Sequence, residues 1–272
     1  MPSLVVTSRN TVDSQILRKT AQDLGWVTLR LDGSTIPDWF EPPDQNIALY
    51  ATAPLAFDLA RQLERTLLAC TADWTVTLPA QFLHRRLRQQ TLQEALKISD
   101  SAFVKHAVGK AFPAGIYGAP ELAEVTNKIP SFALVHVGEV VTWLCEYRCF
   151  IRDRRVVACS LYRRPGMDFE DHSRPLVAPK DEIENALQFA GLFLKSTVPC
   201  PPAFVLDVGL IENRSWAVIE FNECWASGIY GCDPKSVLDS LLAACPPTRT
   251  LPPTDHCWDF EKIYSSACGN EP

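Results

Sequence analysis

Residues 203–223 read AFVLDVGLIENRSWAVIEFNE, and the fold of the whole chain turns on them. Two apolar β-rich runs, 203–212 and 215–221, flank Asn213-Arg214, which reads as a tight turn, so an antiparallel pair is expected. Residues two apart on a strand point to the same face. Glu220 and Asn222 therefore converge, with Ile219 and Phe221 on the core side, and the facing strand can bring Asp207 beside them. Three hard oxygen donors in one patch suit Mg²⁺, which keeps several waters and borrows phosphate oxygens for its other positions. Taken singly, each is an ordinary polar residue of an amphipathic sheet. The weight lies in their combination with the rest of the chain.

Upstream of this pair, 140–151 (VVTWLCEYRCFI) and 154–162 (RRVVACSLY) read as a second hairpin with Asp153 and Arg154 near its turn. Residues 181–196 form the clearest helix, acidic at its start and with Ile183, Leu187, Ala190 and Leu194 on one face. The stretch 163–180 is polar and proline-containing, hence a loop. Residues 132–137 (FALVHV) and 102–105 (AFVK) are strand-like, and 82–97 is expected to be a basic amphipathic helix. Between Lys105 and the next helix, HAVGKAFPAGIYG is a loop rich in Gly and Ala. Downstream, Asp233-Pro234 starts a last helix, Asp as the cap and Pro in the first turn. The tail after Cys245 carries Pro246, Pro247, Pro252 and Pro253 and little periodicity.

The first 73 residues alternate strand and helix: 3–7, 13–24, 26–31, 47–52 and 54–68. That is the pattern of a small parallel α/β domain. It contains neither GxGxxG nor GxxxxGK[ST], so a dinucleotide or P-loop site has no support there.

Here the chain resembles the ATP-grasp superfamily, whose α+β subdomains clamp ATP and whose members commonly form amide-type bonds through an acyl phosphate. Its metal signature is an acidic residue in one strand and Glu-x-Asn in the next, matched by Asp207 and Glu220-Phe221-Asn222. The resemblance implies that Lys105 reaches the ATP phosphates, with Lys110 as a second lysine in a lid over His106–Gly118. It also implies that the backbone of Leu134, Val135, His136 and Val137 pairs with adenine, and that Glu146 takes the ribose hydroxyls. The usual earlier lysine has no clear match; Arg86 stands near its place, and one arginine with two lysines resembles a small ATP-grasp branch. The position two before the metal aspartate, an arginine in D-alanine ligases, is Val205; Arg148 on the neighbouring strand is expected to supply that charge and to meet the substrate carboxylate. Arg163 and Arg164 at a strand end could also bind a carboxylate.

The implied fold is α/β (α+β), with a pre-ATP-grasp domain over 1–73, an A subdomain over 74–133, a B subdomain over 134–245 and a tail over 246–272. The implied activity is an ATP- and Mg²⁺-dependent carboxylate–amine ligase acting on small molecules or peptides. Two alternatives stand beside it: a phosphotransferase without ligation, and a non-catalytic nucleotide-binding interaction protein.

Bulk composition fits these expectations. The chain has 272 residues, 47% hydrophobic, enough for a real core. A net charge of −6 argues against a dominant nucleic-acid surface. No run reaches the roughly 20 apolar residues that span a bilayer, and the N-terminus lacks the features of a secretory signal, so a cytoplasmic protein is expected. The ten cysteines form no CxxC pair, and reduced, packed thiols are the expectation. Cys145 and Cys149 should share one strand face.

Overall fold

The computed structural model describes residues 1–7, 11–42, 45–167 and 176–267. Cys268, His172 and residues 168–175 of the expected 163–180 loop lie outside the described residues.

The N-terminal segment forms a parallel sheet. Strand β1 (Ser3–Thr7) is central, with β2 (Val27–Leu31) and β3 (Ile47–Tyr50) on either side. Every residue of β1 is buried, as expected for a parallel strand covered on both faces. Helix α1 (Val12–Asp23) begins at Thr11, whose hydroxyl accepts the Ser14 N–H. Helix α2 (Ala53–Gln62) carries proline in its first turn but stops sooner than the apolar pattern to residue 68 implies.

The second sheet is antiparallel. After the single turn α3 (Ala80–Leu83), the expected helix over 82–97 breaks: β4 (Leu87–Thr91) pairs with a later strand, and α4 (Leu92–Ala95) follows. Thr91 and Glu94 explain the switch. They form a reciprocal capping box, which starts a new helix at Leu92 and leaves the preceding residues to the sheet. Strands β5 (Ala102–His106) and β6 (Gly115–Tyr117), helix α5 (Ala119–Val125) and strand β7 (Leu134–Gly138) complete the unit, in the order β4-β7-β5-β6. Val104, Val135 and Val137 point to the side covered by Leu92, Ala95 and Leu122.

The third sheet holds β8 (Trp143–Arg152), β9 (Arg155–Arg163), β10 (Ala203–Ile211) and β11 (Trp216–Asn222), in the order β11-β10-β8-β9. Asp153 and Arg154 both take positive φ in the β8–β9 turn, as a two-residue hairpin loop requires. Helix α6 (Lys180–Leu194) covers one face, against Cys145, Tyr147, Cys149 and Leu206; Cys145 and Cys149 do share that side and are fully buried. The opposite face divides. Phe150, Ala158 and Val205 pack towards the N-terminal sheet and α7 (Pro234–Ala244), whose Asp233 cap accepts the Ser236 N–H. A completely buried phenylalanine such as Phe150 contributes roughly 1.5–3 kcal/mol. Further along the same face the residues become polar, and the cleft lies there. The tail does not trail away: α8 (Phe260–Ala267) folds back, and Phe260 packs edge-on to Trp225 at 5.0 Å.

Candidate active site

Between the second and third sheets lies a cleft of about 680 Å³. Its walls include Lys105 and His136 from β5 and β7, Lys110 from the connection to β6, and Glu220, Asn222 and Glu223 from the end of β11. Phe260, Ile263 and Tyr264 of α8 close one side.

The register of β10 and β11 assembles the polar trio. Asp207 lies opposite Glu220, and Asn222 opposite Val205. The Asn222 amide donates to Asp207 Oδ2 at 3.0 Å and to Glu220 Oε1 at 3.2 Å. Lys105 reaches across the cleft to Glu220 Oε2 at 2.5 Å. Arg148, opposite Asp207 on β8, donates from Nε to Oδ1 and from Nη2 to Oδ2. Two carboxylates and one side-chain amide thus stand on adjacent strands, with the amide NH2 and two cations against the carboxylates.

The electrostatics follow from burial and these partners. Burial alone would raise Glu220, but Lys105, the Asn222 amide and Arg148 outweigh it and hold the carboxyl down at about 2. Asp207 is wholly buried, and burial raises its carboxyl against the pull of Arg148. The Arg148 guanidinium is held up by the Asp207 charge in spite of burial. Burial also raises Glu223, with Glu220 adding to the effect. His136 is taken down to about 4 by burial and by Lys105, so it is neutral at physiological pH. Its Nε2 lies 2.8 Å from the Ala72 carbonyl, while its buried Nδ1 has no hydrogen-bond partner among the described residues. Among the described residues no three His, Cys, Asp or Glu side chains gather as a metal cluster. By residue type the set is two carboxylates and an amide, which fits a hard cation that completes its shell with water and phosphate. In this arrangement the Asn222 amide turns its NH2 to the carboxylates and Arg148 holds both Asp207 oxygens, so a cation would require the amide to rotate and Asp207 to share its oxygens.

The expected residues divide by position: Asp207, Arg148 and Glu146 are buried and outside the cleft lining. Lys105, Lys110, His136, Glu220 and Asn222 line one cleft. Arg148 lies beneath the polar face, 7% exposed, between the rings of Tyr162 and Tyr230, with three of its donors given to Asp207 and the Gly228 carbonyl. Glu146 accepts from Tyr162 and Arg163. Arg164 pairs with Glu182, so both arginines at the end of β9 are engaged by carboxylates of the chain. Two expectations are corrected. The backbone of Leu134–Val137 is not free for adenine, because β7 is central and pairs with β4 on one edge and β5 on the other. Arg86 is not in the cleft lining: its side chain is 93% exposed, 3.9 Å from Glu139. Its neighbour Arg85 turns inward instead. Arg85, Glu223, Tyr162 and α8 were not anticipated. Tyr162 could have been found, since it alternates with Ser160 on β9.

A family model described as an ATP-grasp domain, family 2 of the R-2K clade, matches residues 82–240. The chain belongs to that family. The match begins at α3 and ends within α7, so it takes in both antiparallel sheets and the cleft between them. Among solved structures, the ATP-grasp ligase PsnB with a minimal precursor has a TM-score of 0.51 at 14% identity, over 90% of this ATP-grasp chain and 99% of that one. D-alanine–D-alanine ligase from Bacillus anthracis gives 0.51 at 13% identity over 90% and 97%. The RimK domain ATP-grasp protein of Sphaerobacter thermophilus gives 0.50 at 12% identity over 89% and 98%. At these identities the likeness is one of fold. Cell division cycle protein 123 from Phaeosphaeria nodorum is 29% identical over 133 residues, 45% of this chain and 32% of that protein. The chain thus spans about a third of the length of that curated relative. No described helix is long and apolar enough to cross a membrane.

Proposed function

We propose that this ATP-grasp protein is an ATP-dependent carboxylate–amine ligase that works in the cytoplasm through an acyl phosphate, on small-molecule or peptide substrates. The observation that carries the reading is the meeting of Lys105, Glu220 and Asn222 in one cleft between two sheets, with Asp207 buried directly behind them and bonded to Asn222. Asp207, Glu220 and Asn222 would hold Mg²⁺, which when bound supplies positive charge to the phosphate oxygens. The likeness in fold to PsnB, a ligase solved with a minimal precursor, supports including peptides among the substrates.

The chain's own residues have distinct parts. Lys105 lies against Glu220 and can turn to a phosphate without leaving the cleft. Lys110 brings a second cation from the connection between β5 and β6. Together they favour the charge that develops on the transferred phosphoryl group, an electrostatic effect that needs no enzyme nucleophile. Glu146 sits on the same face, two residues from Arg148, and takes the ribose side. The backbone for the base is then that of Val140 and Val141, in the connection that follows β7 and links the two sheets; the Glu139 N–H and the Thr142 carbonyl there are taken by Arg86 and Glu212. The acyl acceptor enters beside Glu223 and α8.

The test is a panel of amino acids and dipeptides incubated with ATP and Mg²⁺, followed by mass spectrometry. ADP and a condensation product that forms only when carboxylate and amine are both present is the expected result. Phosphorylated product without condensation would replace the ligase by a phosphotransferase.

A further inference from the structure

β10 and β11 slip by one residue between Asp207 and Val208: Asp207 faces Glu220, but Val208 faces Val218, so Ile219 has no partner in β10. This is a β-bulge placed directly before Glu220 and Asn222. A bulge bends its strand and re-aims the side chains beyond it. β11 is also an edge strand, with no neighbouring strand on its outer side among the described residues.

Arg85 fills that outer side. Its Nη1 donates to the Val218 carbonyl at 2.7 Å and its Nη2 to the Ile219 carbonyl at 2.8 Å, while Nη1 also reaches the Leu83 carbonyl at 3.1 Å. In a regular strand successive carbonyls point to opposite edges, so one guanidinium could not take both. Here the two carbonyls are on the bulge, and the planar fork of arginine spans them. The guanidinium also stacks over Trp143, 5.1 Å from the ring centroid, at the start of β8. Burial lowers Arg85 to about 10, which still leaves it charged at neutral pH.

We propose that Arg85 is a positioning residue: it locks the bulge at Ile219 and so aims Glu220 and Asn222 into the cleft, without touching nucleotide or metal itself. The proposal rests on the reading of the trio as a divalent-metal site. Orienting groups behind a metal site are commonly worth about 10–100-fold in metal affinity.

Mn²⁺ binding, followed by electron paramagnetic resonance with and without ADP, reads the trio without requiring turnover. Wild type should bind Mn²⁺ in the presence of ADP. Arg85→Met should bind it about tenfold or more weakly, and Arg85→Lys, which keeps the charge but reaches only one carbonyl, should fall between. Added guanidinium ion should recover part of the affinity of Arg85→Ala, while leaving Glu220→Gln unrecovered. A melting curve on each variant establishes that the protein under test is folded; should Arg85→Met not fold, the Lys variant and the guanidinium rescue decide. Folded variants that bind Mn²⁺ as wild type does would overturn the positioning role. Wild type that binds no Mn²⁺ with ADP would instead remove the metal reading, and the proposal with it.

Discussion

Arg148 grips Asp207 through two parallel hydrogen bonds, Nε to Oδ1 at 2.9 Å and Nη2 to Oδ2 at 2.7 Å, in the middle of the third sheet. The two residues face each other across β8 and β10, and Asp207 has no exposed surface. Removing one partner would leave the other charge buried alone, which costs about 3–5 kcal/mol. Arg148→Ala is therefore expected to lower the urea midpoint strongly at neutral pH. Arg148→Lys can satisfy only one carboxylate oxygen and should fall between wild type and Ala. Equal midpoints for all three proteins would mean that the pair does not hold the sheet.

Lys105 and Glu220 give a pH dependence with a definite sign. The Glu220 carboxyl is held at about 2 in the folded protein, below its ordinary 4.5, with Lys105 as the main opposing force to burial. A depressed folded value stabilises fully above about 4.5, and that stabilisation is lost as pH falls through about 2. Lys105→Met should remove it. The stability gap between wild type and variant is then wide at pH 7 and shrinks on acidification below about 4.5. Denaturation at pH 7, 4.5 and 3 measures this, and a gap that does not change with pH would contradict the assignment.

The connection between β5 and β6 should respond to nucleotide. Gly109 takes φ +73° and Lys110 is exposed, whereas Phe112 is buried beneath the second sheet and tethers the far end. Phosphates between Lys105 and Lys110 would relieve their mutual repulsion. Amide exchange over 108–111 should slow when ATP and Mg²⁺ are added, while exchange at Phe112 changes least. Exchange that ignores both would remove Lys110 from the phosphate site.

The sequence made some of this legible and concealed the rest for physical reasons. Period-two alternation placed Glu220 and Asn222 together, and Asn213-Arg214 set the turn that brings Asp207 opposite. The helix expected over 181–196, found at Lys180–Leu194, and the Asp233-Pro234 cap were also readable, because both are local, but the buried face runs through Ala186, Ala190, Phe193 and Leu194 and leaves the expected Leu187 exposed. The stretch 82–97 misled because its apolar spacing also suits a short turn, a strand and another short turn; tertiary pairing with β7 decided between them. Arg85 and Arg86 are adjacent, and periodicity cannot say which one turns inward without knowing the register of β4 against β7. The role of α8 was hidden because its packing on Trp225 depends on contacts from a distant part of the chain.

Gly209 gives the sharpest test of how tightly the polar face is built. It stands on β10 opposite Glu146, two residues beyond Asp207. A Cβ added there would come within 2.7 Å of the Cys145 carbonyl oxygen, 2.7 Å of the Trp143 ring and 2.9 Å of the Ile219 side chain. The ring and the isoleucine tip could turn aside, but the carbonyl belongs to the backbone of β8 and cannot move unless the strand moves. Gly209→Ala must therefore push β8 and β10 apart at the place where Glu146 and Arg148 leave β8. Overpacking of this kind costs about 1–3 kcal/mol, partly offset by the lower entropy of alanine in the unfolded chain. The displacement also reaches Ile219, the bulged residue before Glu220, and Glu146 on the proposed ribose side. The variant is expected to remain folded, to lose stability in that range, and to bind ATP more weakly than a control substituted elsewhere on β10, such as Leu210→Ala. Calorimetric titration with ATP and Mg²⁺ beside a urea curve separates the two effects. Reduced stability with unchanged ATP affinity would mean that the nucleotide does not lie over this part of the sheet.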